Sequence, residues 1–404
     1  MRNVVRYSLA AFGLTTGLFA AVAPTAAGEL DDLKAEVGKL MERIDSLEAK
    51  AREGAAAVPA PAVSSGNDKI KLAVSGQVNR AVLVVDDGKD SGFFHVDNDN
   101  SSTRIRFVGS GRLNEDISAG TLVEVQFESN SSADIDIDQD GEVSANNFTE
   151  RHLTLYLDSK RLGRLWLGQG DTASNGTSEV DLSGTTVIAY SGIEDLAGGI
   201  SFRDSASGAK LVTIGGAYSQ FDGFSRRDRV RYDSPTFNGF KASTSFMQGD
   251  AWDVALRYSA DYENVGTRVA AAIAYGDGAQ RFDLEQINGS FSLLHRSGVN
   301  FTFASGTQDL DARTTDDPVF YYGKLGYQFT PFTFGKTALA IDYGINDDRD
   351  EDGDEFASWG VFAVQNIDRI ATELYAGFRS HELDRTGVSV DDISVGVAGA
   401  RVKF

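Results

Sequence analysis

Two short acidic runs have the residue types and spacing that hard metal ions prefer. In DIDQDGEVSANN, residues 136–147, aspartates stand at every second position and a glycine follows the third. This order matches the first half of an EF-hand calcium loop, whose alternate side-chain oxygens bind the ion while a glycine makes the turn. A similar run precedes Gly353. The candidate metal ligands are Asp136, Asp138, Asp140, Asp348, Asp350 and Asp352.

The rest of each run matches a calcium loop less well. Asn147 stands at the twelfth position, where an EF-hand has a bidentate glutamate, and no flanking helices are evident. Two interpretations therefore stay open. One is loose binding of Ca²⁺ or Mg²⁺, and the other is a pair of solvated acidic loops that collect cations diffusely. We expect that no cofactor is required.

The sequence does not indicate catalysis. None of its histidines lies in a recognisable nucleophile motif, and no phosphate-binding glycine loop is evident. Cysteine is absent, which excludes disulfides, cysteine-ligated zinc and thiol catalysis. We therefore predict no enzyme and no catalytic residues. The histidines are His95, His152, His295 and His381.

Composition points to a chain of strands with an acidic balance. The 404 residues carry a formal net charge of −21, which argues against nucleic-acid binding because that needs a positive surface. Aromatic residues make up 10% of the chain, glycine is frequent at 43 and proline is scarce at 6. Aromatic residues favour strands, and glycine suits tight turns and bends in sheets.

Residues 1–27 have the pattern of a secretory signal peptide. Arg2 and Arg6 form a basic start, residues 9–22 are apolar, and Thr25 and Ala27 precede a cut before Gly28. The alternative is a membrane anchor, but the apolar run is shorter than the roughly 20 residues that a spanning helix needs. The pattern therefore predicts export.

Residues 28–52 predict a short coiled coil, followed by a flexible linker over 53–68 that is rich in Ala, Pro, Ser and Gly. Apolar residues recur at spacings that alternate between three and four residues. Three heptads alone are marginally stable, so the alternative is one amphipathic helix lying on another surface. Branched residues at one seam position and leucine at the other lean towards a dimer. The seam is Leu30, Leu33, Val37, Leu40, Ile44 and Leu47.

From Ile70 onward, segments of about ten residues alternate apolar with polar side chains, which is the period of a β-strand. Leu153, Leu155 and Leu157, for example, alternate with polar neighbours. A soluble sandwich would show the same alternation. Long strands, and connections that alternate between short turns and longer acidic loops, favour a transmembrane β-barrel instead. The barrel is expected to occupy residues 69–404.

Three stretches resemble the general Gram-negative outer-membrane porin family, and together they span most of the chain after residue 70. The heptads resemble those of trimeric porins that carry an N-terminal periplasmic coiled coil. The last four residues, RVKF, resemble the terminal signal read by the outer-membrane assembly machinery, with Phe404 as its end. The three stretches are STRIRFVGSGRLNEDISAG (102–120), RLGRLWLGQGDTAS (161–174) and RVRYDSPTFNGF (229–240).

The resemblance implies a homotrimer of barrels, each with a loop that folds inward after the RLWLGQG strand to form a constriction. It implies acidic residues on that loop and a basic wall opposite, whose transverse field orients polar solutes. The acidic candidates are Glu179, Asp181, Glu194 and Asp195. The basic candidates are Arg104, Arg106, Arg151 and Arg164.

The predicted fold is an all-β, antiparallel transmembrane barrel of 16 strands, preceded by the helical coiled coil. The alternative count is 18, because residues 199–203 and 210–221 form an additional hairpin pattern between the constriction loop and the third stretch. If that hairpin belongs to the inward loop, the count is 16.

We predict passive diffusion of small hydrophilic solutes and ions across the outer membrane of a Gram-negative bacterium, with the coiled coil in the periplasm. Expected partners are outer-membrane lipid, lipopolysaccharide at the external loops, and the assembly machinery. Two alternatives stay open. A plugged barrel would serve as a surface adhesin or cell-wall tether, and a basic ladder in the lumen would make a substrate-specific anion channel.

Overall fold

A computed structural model describes residues 66–67, 69–139, 147–279, 284–310 and 316–404 of the chain. The predicted signal peptide over 1–27, the coiled coil over 28–52 with its seam, and the linker before Gly66 lie outside the described residues. Asp140 does as well.

Twenty β-strands account for most of the described residues. Most are long and alternate in burial from one residue to the next, as expected where one face meets lipid and the other the interior. They are β1 (Lys71–Asp86), β2 (Ser91–Asp97), β3 (Arg104–Arg112), β4 (Ile117–Phe127), β5 (Phe148–Ser159), β6 (Gly163–Asp171), β7 (Ser201–Asp204), β8 (Lys210–Thr213), β9 (Arg226–Asp233), β10 (Phe240–Met247), β11 (Trp252–Tyr262), β12 (Thr267–Asp277), β13 (Leu284–His295), β14 (Val299–Leu310), β15 (Val319–Phe332), β16 (Gly335–Asp347), β17 (Glu355–Ile367), β18 (Thr372–Asp384), β19 (Val390–Asp391) and β20 (Ile393–Lys403).

The strands of the wall form a closed antiparallel barrel with 16 positions. β2 and β3 share one position, because β1 pairs with β2 over residues 80–86 and with β3 over residues 71–77. The wall closes where β1 pairs with β20, from Gln77 opposite Lys403 to Asp86 opposite Ser394. This confirms the predicted all-β barrel of 16 strands.

The additional hairpin is not part of the wall. β7 pairs with β8, and β19 from the β18–β20 connection pairs with the other edge of β7, so the three form a separate small sheet. Both β7 and β8 lie within residues 172–225, the long connection between β6 and β9, which we call the inward loop. The alternative count of 18 strands is therefore wrong.

The outward face of the wall is apolar along most strands. On β5, Leu153, Leu155 and Leu157 are exposed, while the adjacent His152 and Thr154 are buried towards the interior. Lipid requires this arrangement because it offers no partners for polar groups. No helix of the described residues is long and apolar enough to span a membrane.

The interior is partly filled by the inward loop, whose apolar side chains join those of the inner wall. Tyr218 of the loop packs against Phe320 of β15 and Phe356 of β17, with ring centroids 6.3 and 5.2 Å apart. Phe202 reaches Phe356 and Phe221 reaches Phe320. The loop is thereby held against one side of the barrel.

Substitution at Gly76 tests the closing seam. Gly76 exchanges two backbone hydrogen bonds with Phe404, of 2.8 and 3.0 Å. A Cβ on Gly76 would lie 2.6 Å from the carbonyl oxygen of Arg104 and from the Phe404 ring. We expect Gly76→Ala to destabilise the barrel by about 1–3 kcal/mol through overpacking. The measurement is urea unfolding of the refolded protein in detergent.

Gly323→Ala is the matched control, since a Cβ there meets no atom within 4 Å. Equal unfolding midpoints for the two variants would show that the seam tolerates the extra atom.

Candidate functional site: an arginine-lined lumen

The inward loop begins at a buried carboxylate of the wall. Asp253 of β11 is fully buried and accepts hydrogen bonds from the backbone N–H groups of Ala173 (3.2 Å) and Ser174 (2.9 Å). The hydroxyl of Ser245 on β10 donates to Asp253 and accepts from the Ala173 N–H at 2.7 Å. These bonds turn the chain from β6 into the lumen.

Two further strands hold the middle of the loop. The N–H groups of Val180 and Leu182 donate to the hydroxyls of Ser290 and Ser292 on β13, each at 2.9 Å. Lys324 of β15 forms a buried ion pair with Asp181, whose side chain is 2% exposed. The lysine also donates to the carbonyl of Ala189 at 2.8 Å. The loop is therefore fixed along its length by hydrogen bonds, an ion pair and apolar contacts.

Opposite the inward loop, three arginines converge on one buried glutamate. Glu124 of β4 accepts from Arg106 at 2.5 Å and from Arg151 at 2.7 Å, and Arg104 lies 3.7 Å away. The β-bulge between Glu124 and Val125 places two residues of β5 against one of β4, and this brings Arg151 inward. Three positive groups share one carboxylate, and Arg106 keeps 45% of its side chain exposed.

More arginines extend this wall along β9 and β11. In β9, Arg227, Arg229 and Arg231 alternate with the exposed Asp228, Val230 and Tyr232, so the arginines share the inward face. Arg229 donates to the carbonyls of Asp171 (2.9 Å) and Gly168 (2.6 Å).

Arg231 pairs with Asp233 at 2.9 Å, Arg226 pairs with Asp171 at 3.0 Å, and Arg257 of β11 donates to the carbonyl of Asn175 at 2.7 Å. We call the whole group of inward arginines the arginine wall. Its members are Arg104, Arg106, Arg151, Arg226, Arg227, Arg229, Arg231 and Arg257.

Acidic side chains of the inward loop occupy the same part of the lumen. Asp195 is within electrostatic range of Arg151 and Arg226, and Glu179 is within range of Arg226. Burial raises the pKa of both carboxyls. Acids of the inward loop and arginines of the wall therefore meet in one part of the lumen.

Two of the predicted constriction residues lie elsewhere. Arg164 faces the lumen beside the short β5–β6 turn, where it pairs with Asp158 at 3.0 Å and stacks over Tyr156 and Trp166. Asp181 anchors the inward loop through Lys324. The structure therefore groups Arg104, Arg106 and Arg151 around Glu124, with Arg151 also near Asp195, and leaves Arg164 and Asp181 apart.

The predicted metal ligands have other partners. Lys210 lies 2.8 Å from Asp136 and 2.9 Å from Asp138, and Arg203 lies 3.0 Å from Asp138. In the second run, Arg385 pairs with Asp350 at 2.6 Å. Asp348 accepts from the Gly353 N–H, and Asp352 from the Asp316 N–H. No group of three or more His, Cys, Asp or Glu with metal-binding geometry occurs among the described residues.

A closed membrane barrel with a charged, loop-narrowed lumen defines a transmembrane channel protein. The sequence model of a Gram-negative porin family matches residues 51–386, and this chain belongs to that family. It is an outer-membrane porin channel.

Several solved structures share the fold of this chain. The anion-selective porin of Comamonas acidovorans is 15% identical with a TM-score of 0.56, and the match covers 83% of this chain and 100% of that one. The channel DcaP of Acinetobacter baumannii is 11% identical with a TM-score of 0.53, covering 85% and 99%. OmpT of Vibrio cholerae is 13% identical with a TM-score of 0.53, covering 85% and 100%. No protein with a curated description matches the chain.

Lys324→Met tests how the inward loop is held. The substitution leaves the Asp181 carboxylate buried without its cation, which typically costs about 3–5 kcal/mol. We expect the loop to loosen, with larger current noise and a higher mean conductance in single-channel recordings.

The double variant Lys324→Met with Asp181→Asn is the control. Removing both charges should restore quiet, wild-type-like current. Noise that is the same in the wild type and in Lys324→Met would contradict an anchoring role for the ion pair.

Proposed function

We propose that this porin admits small hydrophilic solutes by passive diffusion and conducts small anions in preference to cations. The observation that carries the proposal is the arginine wall, whose guanidinium groups outnumber the wall carboxylates among them, namely Glu124, Asp171, Asp233 and Asp253. Arginine stays protonated at any physiological pH, so the excess positive charge is permanent. Fixed positive charge in a narrow lumen raises the local concentration of anions.

The inward loop strengthens this effect by narrowing the path. Its apolar side packs on β15 and β17, while its hydrophilic side faces the arginine wall. Ions therefore pass close to guanidinium groups rather than along the barrel axis, where water would screen the charges more strongly. Diffusion of this kind involves no bond-making step, and we propose neither an enzymatic activity nor a required cofactor.

We also propose that the barrel assembles as a homotrimer through the outward face of β1 to β4. Arg80 points outward between Val78 and Val84, which are both exposed on the same face of β1. It pairs with Asp97 of β2 at 2.5 Å and keeps 44% of its side chain exposed. A charged side chain facing lipid near the bilayer midplane costs about 2–4 kcal/mol.

The barrel wall is also interrupted beside the Arg80–Asp97 ion pair. Residues 98–103 leave the sheet between β2 and β3 and include a 3₁₀ turn. Irregular backbone at membrane depth is tolerated where protein covers it. A second copy of the barrel meets each of these requirements.

Neutralising the arginine wall tests the ion preference. We expect the double variant Arg106→Gln and Arg257→Gln to lower the chloride-to-potassium permeability ratio by roughly threefold or more. One unit charge about 7 Å away in water changes the local concentration of an ion by about that factor. The measurement is the reversal potential across a KCl gradient in a planar bilayer.

Arg268→Gln is the control, because its side chain is exposed at the turn end of β12 and pairs with Asp261. A wild-type reversal potential of the sign that indicates potassium preference would overturn the proposed anion selectivity.

Arg80→Glu tests the subunit contact. The substitution places two carboxylates side by side on the outward face, and we expect the oligomer to dissociate into folded monomers. Cross-linking and heat modifiability on denaturing gels distinguish folded monomers from unfolded chains. Lys89→Glu, in the exposed β1–β2 connection, should leave the oligomer intact. An Arg80→Glu protein that keeps the wild-type oligomer would rule out this face.

A further inference from the structure

Two aromatic side chains lie side by side on the lumen face of the wall. Tyr156 of β5 and Trp166 of β6 are directly opposite each other in the register, with ring centroids 5.4 Å apart and ring planes at 57°. Both alternate with exposed outward leucines, so both face the interior, where they stay partly exposed. Contact with lipid does not account for aromatic rings on this face, because the lumen of such a barrel is polar and holds water.

The wall fixes the polar edges of both rings. A Cβ on Gly120 would lie 2.5 Å from the Tyr156 hydroxyl oxygen, so the absence of that atom lets the ring lean over Gly120. The hydroxyl donates to the carbonyl of Gly109 at 3.4 Å. The indole N–H of Trp166 donates to Asp233 at 2.9 Å. Both rings are therefore held in place by their polar atoms, and part of their apolar surface is left to the lumen.

Arg164 lies against both rings. Its guanidinium carbon is 5.1 Å from the ring centroid of Tyr156 and 5.0 Å from that of Trp166, within the range of a cation–π contact. Its Nε and Nη2 each donate to Asp158 at 3.0 Å, so Nη1 is directed away from that carboxylate. The Arg164 side chain is 38% exposed. We call Tyr156, Trp166 and Arg164 together the aromatic platform.

The charged groups around the aromatic platform leave an excess of positive charge. The platform arginine pairs with Asp158, while Arg231 and Lys241 share Asp233, at 2.9 and 3.4 Å. Three cations therefore stand beside two carboxylates. Lys241 approaches the same Asp233 oxygen that accepts from the platform indole, so its ammonium group lies close to that ring. The Lys241 side chain is 39% exposed, and an anion in the lumen can reach it.

We propose that the aromatic platform is a binding site for small carboxylates that carry an aromatic ring, of which benzoate is the simplest. The ring of the solute packs on the exposed surface of Tyr156 and Trp166. Its carboxylate accepts a hydrogen bond from Nη1 of Arg164 and lies near the ammonium group of Lys241. An aliphatic carboxylate lacks the ring and a neutral aromatic solute lacks the charge, so neither uses both parts of the site.

The aromatic platform lies between the arginine wall and the short-turn end of the barrel, which faces the periplasm. Trp166 is opposite Arg231, a member of the arginine wall, and Arg164 is near the turn that joins β5 to β6. An anion that has passed the arginine wall therefore meets the platform before it leaves the pore. The inference deepens the proposed passage of small anions, and it rests on that function for the route by which the solute arrives.

The fluorescence of Trp166 reports on the site directly. The chain has three tryptophans, and the other two, Trp252 and Trp359, lie on the outward face. The background variant Trp252→Phe with Trp359→Phe therefore leaves Trp166 as the sole reporter. In detergent-purified protein we expect benzoate to change this fluorescence saturably, with an affinity roughly tenfold or more above those of acetate and of benzyl alcohol, because each of these lacks one of the two contacts.

Two substitutions in this background remove the two parts of the site separately. Arg164→Gln should weaken benzoate binding by about tenfold, the usual effect of losing a hydrogen bond to a charged group. Asp158 should stay hydrated in this variant, since its side chain is 33% exposed. Tyr156→Leu should weaken benzoate binding by roughly threefold through loss of the ring contact. The second variant keeps the test decisive if the first does not fold.

Arg268→Gln is the matched control, because Arg268 also pairs with an aspartate at the short-turn end of the barrel, and it should bind benzoate as the background variant does. Equal affinities for benzoate and acetate, or for benzoate and benzyl alcohol, overturn the inference. So does a benzoate affinity that neither Arg164→Gln nor Tyr156→Leu lowers.

Failure of this inference can be told apart from failure of the proposed function, since the titration requires no ion flow. Potassium preference in bilayers together with tight benzoate binding overturns the anion preference and supports the aromatic platform. Chloride preference without saturable benzoate binding does the reverse.

Discussion

The backbone hydrogen bonds that close the wall are the constraint on which the rest of the protein depends. A bilayer provides no partners for an open sheet edge, so the barrel exists only because β1 and β20 pair over residues 77–86 and 394–403. Closure fixes an interior and an exterior face for every strand. The arginine wall, the inward loop and the lipid-facing surface all follow from that division.

Inside the barrel, packing and electrostatics are divided between two sides. Apolar contacts and the Lys324–Asp181 ion pair hold the inward loop against β13 to β17. Hydrophilic loop groups face the arginines of β3, β5, β9 and β11. The large apolar cluster thus does more than stabilise the fold, because it determines which part of the interior is left for ions.

Much of this could be predicted from the sequence, because period-two alternation determines which residues of a strand share a face. It gave the barrel and the inward direction of Arg104 and Arg106. Alternation within a strand does not reveal how deep in the barrel a residue lies. It therefore could not show that Arg164 lies beside the turn, bound to Asp158. It also could not reveal that Asp181 meets Lys324, a partner far along the chain. The sequence analysis did not predict the arginines of β9 as lumen residues, although RRDRVR places Arg227, Arg229 and Arg231 at every second position.

The attachment of the inward loop has an evolutionary consequence. The aromatic side chains that pack against the loop lie on β15 and β17, whereas the arginine wall lies on β3, β5, β9 and β11, so these two sets can change independently. Substitutions among the arginines or the facing acids leave the apolar contacts of Tyr218, Phe202 and Phe221 in place. A lineage of such barrels can therefore acquire new solute preferences by small steps, without first losing and rebuilding the scaffold that keeps the outer membrane sealed.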